Sequence, residues 1–348
     1  MTRAIFLGVA VAAVLVAGLF VLFGRQPSAG TDDVLRPVDP SSVYDPIVGG
    51  EAFPGGIRWV ISRDGIHPIY DPTYVTADLV KWDDGDLVIG LEIDGEARAY
   101  PIGYLSRREM VNDTVASVPI LVAWCPLCGT ATVHRREVDG EPVLFGNQGA
   151  LWGNAMTWWD HETGSIWSQP LGEAIAGPLK GRTLELLPST LTTWVSWRDA
   201  HLDTLALSTP TDRSALQLDS TAIVLDSGVL GLGNDATAYP VQAVREAGVV
   251  NDVVAGLEVA VLVDPTDEDR WAVFSRRLND QVITLSVQGD AVTDVETGSV
   301  WDVATGRAIS GPLAGEVLEP LPASTVFPKD FLTFWPNGTL WEPNRARE

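Results

Sequence analysis

The chain has 348 residues, of which 46% are hydrophobic and 13 are tryptophan, a composition that can build the cores of about two domains. Lysine and arginine total 23 against 46 aspartates and glutamates, so the formal net charge is −23. Binding to a phosphate backbone needs a basic surface, and the sequence therefore predicts no nucleic-acid partner. The acidity is instead typical of a protein that stays soluble in a salty or acidic habitat.

The N-terminus carries an unbroken apolar stretch from Ala4 to Phe23. As a helix it would span a hydrocarbon core of roughly 30 Å, which predicts one membrane anchor. No clean signal-peptide cleavage site follows it, so an uncleaved anchor is favoured over a cleaved signal. Arg3 precedes the stretch, and no later segment is long and apolar enough to span. We therefore expect a single-pass protein of the cell membrane with the bulk of the chain extracytoplasmic.

The sequence predicts five consecutive segments. They are a membrane anchor at 1–25, a linker rich in Pro, Ser, Asp and Gly at 26–49, a first folded unit at 50–210, a connector at 211–220 and a second unit without cysteine at 221–348.

The two folded units are predicted to be copies of each other. Residues 91–126 match 230–265 at an offset of 139, and 162–188 match 296–322 at an offset of 134. The repeated motifs include Ala99-Tyr100-Pro101 with Ala238-Tyr239-Pro240, Val111-Asn112-Asp113 with Val250-Asn251-Asp252, and Glu162-Thr163-Gly164-Ser165 with Glu296-Thr297-Gly298-Ser299. We interpret the shared residues as fold determinants and the residues private to the first unit as candidates for chemistry.

Short apolar or alternating runs, separated by Asp-Gly, Gly and Asn, predict a mainly β fold (α+β with few short helices). Two tandem units of barrel or sandwich type are expected after the N-terminal transmembrane helix. Asp94-Gly95 and Asp139-Gly140 predict hairpin turns, and Gly103–Met110 and Leu191–His201 predict helices. The predicted strands of the first unit are Leu87–Ile93, Glu96–Ile102, Pro119–Trp124, Ala131–Val138, Val143–Asn147, Ala155–Trp159 and Ser165–Gln169.

The chain contains two cysteines, Cys125 and Cys128, within Cys-Pro-Leu-Cys-Gly. Under the offset of 139 they fall on Asp264 and Asp267, so the second unit lacks both thiols. This spacing lets two thiolates converge on one metal ion or close one small disulfide ring. If the pair is functional, we expect the two aspartates to face solvent.

Three functions are open for this pair. As a metal site it matches the knuckle of zinc ribbons and rubredoxin-like sites, and its further ligands would be His134, His161 or, for copper(I), Met156. The expected cofactor is then zinc or copper. As a redox site it has the spacing of dithiol oxidoreductases, although the next residues predict a strand and not an activating helix.

The third possibility is a static cysteine pair in a non-catalytic binding or structural ectodomain, in which Asn154 and the tryptophans would have no chemical role. The sequence contains no hydrolase motif and no phosphate-binding glycine loop. The pair alone leaves open whether the protein is an enzyme.

Over residues 50–205 the chain resembles the family named domain of unknown function 3179. The resemblance rests on Asp64-Gly65-Ile66, Asp71-Pro72, Ala99-Tyr100-Pro101, Val111-Asn112-Asp113-Thr114, Cys125-Pro126-Leu127-Cys128-Gly129, Asp160, Ser165-Ile166-Trp167-Ser168-Gln169 and Leu184-Glu185-Leu186-Leu187-Pro188. That family is defined by its sequence, so the resemblance implies no activity. Its members commonly carry His-Glu before the Val-Asn-Asp motif, where this chain has Arg108-Glu109.

Overall fold

The computed structural model describes residues 56–209, 216–228, 230–232 and 235–343. The predicted anchor at 4–23 and the predicted linker lie outside these residues. Among the described residues, no helix is both long enough and apolar enough to cross a membrane.

The first unit is built mainly from strands, with two short helices. Its strands are β1 (Ile57–Trp59), β2 (Tyr74–Thr76), β3 (Leu87–Ile93), β4 (Glu96–Pro101), β5 (Met110–Val115), β6 (Val118–Cys125), β7 (Thr130–Arg135), β8 (Glu137–Val138), β9 (Glu141–Pro142), β10 (Phe145–Trp152), β11 (Ala155–Asp160), β12 (Ile166–Ser168), β13 (Glu173–Ala176), β14 (Thr190–Thr193) and β15 (Leu205–Leu207). Its α-helices are α1 (Ile102–Arg108) and α2 (Trp194–Ala200). These strands form sheets of order β14-β3-β4-β15-β2, β5-β6-β7 and β1-β10-β11-β12-β13, with β8-β9 as a separate hairpin.

The second unit repeats this plan. Its strands are β16 (Ala222–Asp226), β17 (Ala236–Pro240), β18 (Val249–Val254), β19 (Leu257–Asp264), β20 (Asp267–Ser275), β21 (Arg277–Leu278), β22 (Gln281–Val282), β23 (Leu285–Gln288), β24 (Ala291–Asp294), β25 (Val300–Trp301), β26 (Ala308–Ser310), β27 (Ser324–Val326) and β28 (Thr339–Leu340). Its α-helices are α3 (Val241–Ala247) and α4 (Pro328–Phe334), and its sheets have the orders β27-β16-β17-β28, β18-β19-β20 and β23-β24-β25-β26, with β21-β22 as a hairpin.

Each sheet of the first unit thus has a counterpart in the second, and the unusual parallel pairing of β4 with β15 recurs between β17 and β28. The predicted duplication and the mainly β class are confirmed. Within the described residues every sheet is open, so the units are layered sheets and not closed barrels.

A hydrogen-bonded loop after β11 is a clear shared fold determinant. The Asp160 carboxylate accepts the indole N–H of Trp167 and the hydroxyl of Thr163, each at 2.9 Å. In the second unit the Asp294 carboxylate accepts the indole N–H of Trp301 at 3.0 Å and the hydroxyl of Thr297 at 2.9 Å. Because both copies keep this network, it belongs to the scaffold and not to chemistry private to one unit.

The copies differ in length at two places. Leu121 pairs with His134 and Ala260 with Phe274, so the offset rises from 139 to 140 across the turn after β6. It then falls to 134 at Asp160, because the β10–β11 hairpin is six residues longer than β23–β24. The change of offset from 139 to 134 therefore combines an insertion of one residue and a deletion of six residues in the second unit.

Several predicted elements differ from the structure, and the predicted strand Ala131–Val138 is divided into β7 and β8 of two different sheets. The predicted helix Leu191–His201 begins as strand β14, because residues 190–193 pair with β3, and only α2 is helical. Strand β10 continues to Trp152, beyond the predicted end at Asn147. The predicted Asp-Gly turns have positive φ at both residues, 49° and 80° for Asp94 and Gly95, as a type I′ hairpin requires.

The two units pack reciprocally. The β6–β7 turn of the first lies against β27 of the second, and the start of β20 in the second lies against β14 of the first. The Thr325 hydroxyl donates to the carbonyl of Gly129 at 2.8 Å and accepts the N–H of Ala131 at 3.0 Å. In the mirrored contact the Thr192 hydroxyl donates to the carbonyl of Asp269 at 2.7 Å. Two of the hydrophobic cores contain residues of both copies, so these copies form one packed body.

Candidate functional site

The cysteine pair occupies the turn between β6 and β7. The N–H of Gly129 donates to the carbonyl of Cys125 at 3.0 Å, which closes the turn. Gly129 has φ +68°, and a Cβ there would lie 2.6 Å from the ring of Phe327, so this position requires glycine. Cys125 and Cys128 are 1% and 0% exposed, and both are free thiols.

Hydrogen bonds to sulfur shift the pKa values of the two cysteines in opposite directions. The Cys128 thiol donates to the sulfur of Cys125, and this bond is the largest cause that lowers the pKa of Cys125. The backbone N–H groups of Met156, Cys128 and Leu127 also point at that sulfur and lower its pKa further. The same bond raises the pKa of Cys128, whose sulfur lies 3.0 Å from the hydroxyl of Thr130. The pair therefore shares one hydrogen bond in which Cys128 is the donor and Cys125 the acceptor, and Cys125 is the more acidic of the two thiols.

Both methionines of the described chain lie in the same buried cluster as the two cysteines. Met156 is 3% exposed and follows the hairpin tip, while Met110 is 0% exposed and pairs across the sheet with Ala123, two residues before Cys125. Met156 is a ligand predicted from the sequence, whereas Met110 was not predicted. Met110 is brought near the cysteine turn by strand pairing, which a short sequence motif does not show.

His134 lies away from the thiols. It pairs with Leu121, four residues before Cys125, which corresponds to about 13 Å along the strand. Its ring packs edge-on against Trp158, with the ring centroids 5.5 Å apart. Burial lowers the pKa of His134 to about 3, so the imidazole is neutral.

His161 belongs to a different group. Its ring stacks on Trp159 with centroids 4.2 Å apart, and its Nε2 lies 3.1 Å from the hydroxyl of Tyr70. Burial lowers its pKa to about 4. Across the described part of the chain, no group of three or more His, Cys, Asp or Glu side chains could hold one metal ion. The predicted histidine ligands therefore do not join the cysteines in a zinc-type site.

The hairpin tip covers the cysteine turn. The side-chain amide of Asn154 donates to the carbonyl of Leu127 at 3.0 Å.

Asp264 and Asp267, expected to face solvent, instead form ion pairs with Arg270 at 3.0 and 3.2 Å, and their side chains are 12% and 26% exposed. They hold a guanidinium in place, which gives them a structural role in the second unit.

Glu109 is a second ionisable side chain that the first unit has and the second lacks, and it was not predicted as a site residue. It ends α1 with φ +57°, a left-handed conformation that suits glycine, and its counterpart Gly248 adopts φ +69°. Its carboxylate is buried and accepts a hydrogen bond from the side chain of Asn147. Desolvation raises the pKa of Glu109 to about 7. In the alignment of the two repeats Glu109 falls opposite Gly248, and this difference is the sequence signal that could have identified it.

Asn147 connects Glu109 to the segment before β2. Its backbone N–H donates to the Asp64 carboxylate at 2.8 Å, and burial raises the pKa of Asp64. Arg63 donates to Gln148 at 2.7 Å and lies 4.4 Å over the ring of Trp159. These contacts anchor the segment before β2 to the long β10–β11 hairpin.

The family model described as "Protein of unknown function (DUF3179)" matches residues 63–217 and again 215–347. The chain belongs to this family. It carries two tandem copies of the family domain, and the cysteine turn lies in the first copy. No curated protein and no solved structure matches the chain. Membership therefore supplies the scaffold and leaves the function to be argued from the residues.

Proposed function

We propose that this protein is a membrane-anchored, extracytoplasmic binding protein for a soft metal ion, copper(I), held by Cys125 and Cys128. The observation that carries the proposal is the buried Cys-x-x-Cys turn, which shares one hydrophobic core with both methionines of the described chain. Thiolate and thioether sulfur are the ligands that copper(I) prefers in proteins. The anchor at 4–23 is part of the proposal because it would place this cluster outside the cytoplasm.

Copper(I) is favoured over zinc by the donor set. Structural zinc sites are filled by four Cys or His ligands, and neither His134 nor His161 lies with the cysteine pair. Met110 and Met156 offer thioethers, which suit copper(I) and are poor zinc ligands. The amide hydrogen bonds to Cys125 favour its thiolate, the form that binds metal.

The alternative of a thiol–disulfide enzyme has less support. Both thiols are almost fully buried, whereas a redox thiol must meet its substrate disulfide. The turn runs into strand β7, so no helix N-terminus activates the first cysteine.

The test is anaerobic titration of the full-length chain with copper(I) in competition with a chromogenic copper(I) chelator, and a parallel titration with zinc(II). We expect one copper(I) per chain, bound far more tightly than zinc(II). Cys125→Ser and Cys128→Ser should each abolish stoichiometric binding, because one thiolate cannot replace two. Met156→Leu and Met110→Leu should weaken binding with the fold intact.

The matched control is Asp267→Ser, which alters the corresponding turn of the second unit and should leave copper binding unchanged. Equal copper uptake by the wild-type chain and both cysteine variants would remove the pair from metal binding. Reduction of insulin by the wild-type chain without bound metal would favour the redox alternative.

A further inference from the structure

A cavity of about 390 Å³ lies between the two copies, beside α2 and β14 of the first and β20 of the second. Its volume falls within the range of small-molecule sites. Large apolar side chains from both copies form much of its wall. Among them are Trp197, Trp271, Phe274 and Leu321.

This cavity exists because the repeat is asymmetric. At the corresponding place beside α4, the ring of Trp152 lies 6.1 Å from Phe334, and a Cβ on Gly153 would meet Thr333 at 2.8 Å. The tip of the long β10–β11 hairpin therefore packs against α4. The β23–β24 hairpin is six residues shorter, and none of its residues lines the cavity.

Two buried hydrogen-bond donors on the cavity wall have no partner in the described structure. They are the hydroxyl of Ser196, a residue 2% exposed, and the Nε of Arg270. The two residues are in direct contact, because a terminal nitrogen of the Arg270 guanidinium donates to the backbone carbonyl of Ser196 at 3.3 Å. A buried donor without a partner is costly, so these atoms mark where a ligand acceptor would bind.

The charged side chains that line the cavity are already engaged with other groups, which favours a neutral ligand. Glu92 and His201 lie 3.3 Å apart, and Arg307 donates to the carbonyl of Gly315 at 3.1 Å. Asp264 and Asp267 both pair with Arg270 and neutralise its guanidinium. A carboxylate would therefore gain little from Arg270 in a chain of net charge −23. A carbonyl oxygen accepts from both donors without bringing a charge into an apolar cavity.

We propose that this cavity binds a small, uncharged, largely apolar molecule through a carbonyl oxygen that accepts hydrogen bonds from Ser196 and Arg270. The site requires both copies of the domain, which gives the cysteine-free copy a role of its own. It is independent of the copper site, and binding should be the same in the Cys125→Ser variant.

The experiment is ligand-observed NMR and calorimetry on the full-length chain with three matched probes, 2-naphthamide, 2-naphthoate and 2-naphthylmethylammonium. We expect the amide to bind most tightly and the ammonium, which offers only donors, to show no saturable binding. Ser196→Ala should weaken amide binding by about 3- to 10-fold, the value of one hydrogen bond. Ser168→Ala is the matched control, since it removes another buried, unpartnered hydroxyl outside the cavity.

Val317→Trp tests the location with little risk to folding, because Val317 lines the cavity and is 42% exposed. It should block the amide while leaving the unfolding midpoint unchanged. The proposal is overturned if no probe binds at millimolar concentration, if the ammonium binds as well as the amide, or if neither Ser196→Ala nor Val317→Trp alters amide binding.

Discussion

Replacing Trp167 with alanine is expected to lower the free energy of unfolding by about 4 kcal/mol, the usual cost of deleting a fully buried tryptophan. Trp167 is 0% exposed, and its ring packs edge-on against Phe145 with centroids 5.4 Å apart. The variant would also leave the Asp160 carboxylate without the indole N–H that it accepts at 2.9 Å. Urea denaturation followed by circular dichroism measures the change.

The duplication provides the matched comparison. Trp301 makes the same bond to Asp294 in the second unit, so Trp301→Ala should destabilise the chain by a similar amount. Trp59 is 44% exposed, and Trp59→Ala is expected to change the free energy of unfolding by less than about 1 kcal/mol. If Trp167→Ala cost no more than Trp59→Ala, the shared loop would not be a fold determinant.

Glu109→Gln is expected to stabilise the chain at pH 8 and to have little effect at pH 4. Burial raises the pKa of Glu109 from 4.5 to about 7, so the folded state favours the protonated acid. The resulting stability is fully present below pH 4.5 and is lost as the pH rises through about 7. At about 1.4 kcal/mol for each pKa unit, the wild-type chain should lose about 3 kcal/mol relative to the variant across this window.

The measurement is the free energy of unfolding of both proteins at several pH values between 4 and 8. Glutamine keeps an oxygen that accepts from Asn147, so the variant removes the charge without removing the hydrogen bond. Glu246→Gln, at an exposed position, is the control and should run parallel to the wild type. Parallel curves for Glu109→Gln as well would contradict a buried, proton-retaining Glu109.

Much of the fold could be predicted because local patterns and the repeat agree. Alternating apolar runs gave strands such as β3 and β4, and an Asp-Gly turn joins them as expected. The predicted helix over Leu191–His201 was wrong at its start, because residues 190–193 pair with β3. Three of these four residues are threonine, a β-branched type enriched in strands, so the spacing of the aromatic residues further along misplaced the start of the helix.

The candidate site was less predictable. The Cys-x-x-Cys spacing identified the thiols, whereas the contribution of Met110 depends on its pairing with Ala123. The predicted ligand His134 is on a strand beside the cysteine turn, but the register places it opposite Leu121. Closeness to the cysteines along the sequence therefore did not mean closeness in space, because each residue along a strand moves the chain by about 3.3 Å.

The sequence by itself determined the duplication, the mainly β class, the family and the confinement of both thiols to the first copy, because each depends on residue identity and spacing along the chain. The tertiary structure decided which side chains meet. The hydrophobic core that holds both cysteines and both described methionines joins residues of separate elements, as do the Glu109–Asn147 contact and the cavity between the copies. Such contacts are set by strand register and by the reciprocal packing of the two units, and neither is recorded in any local stretch of sequence.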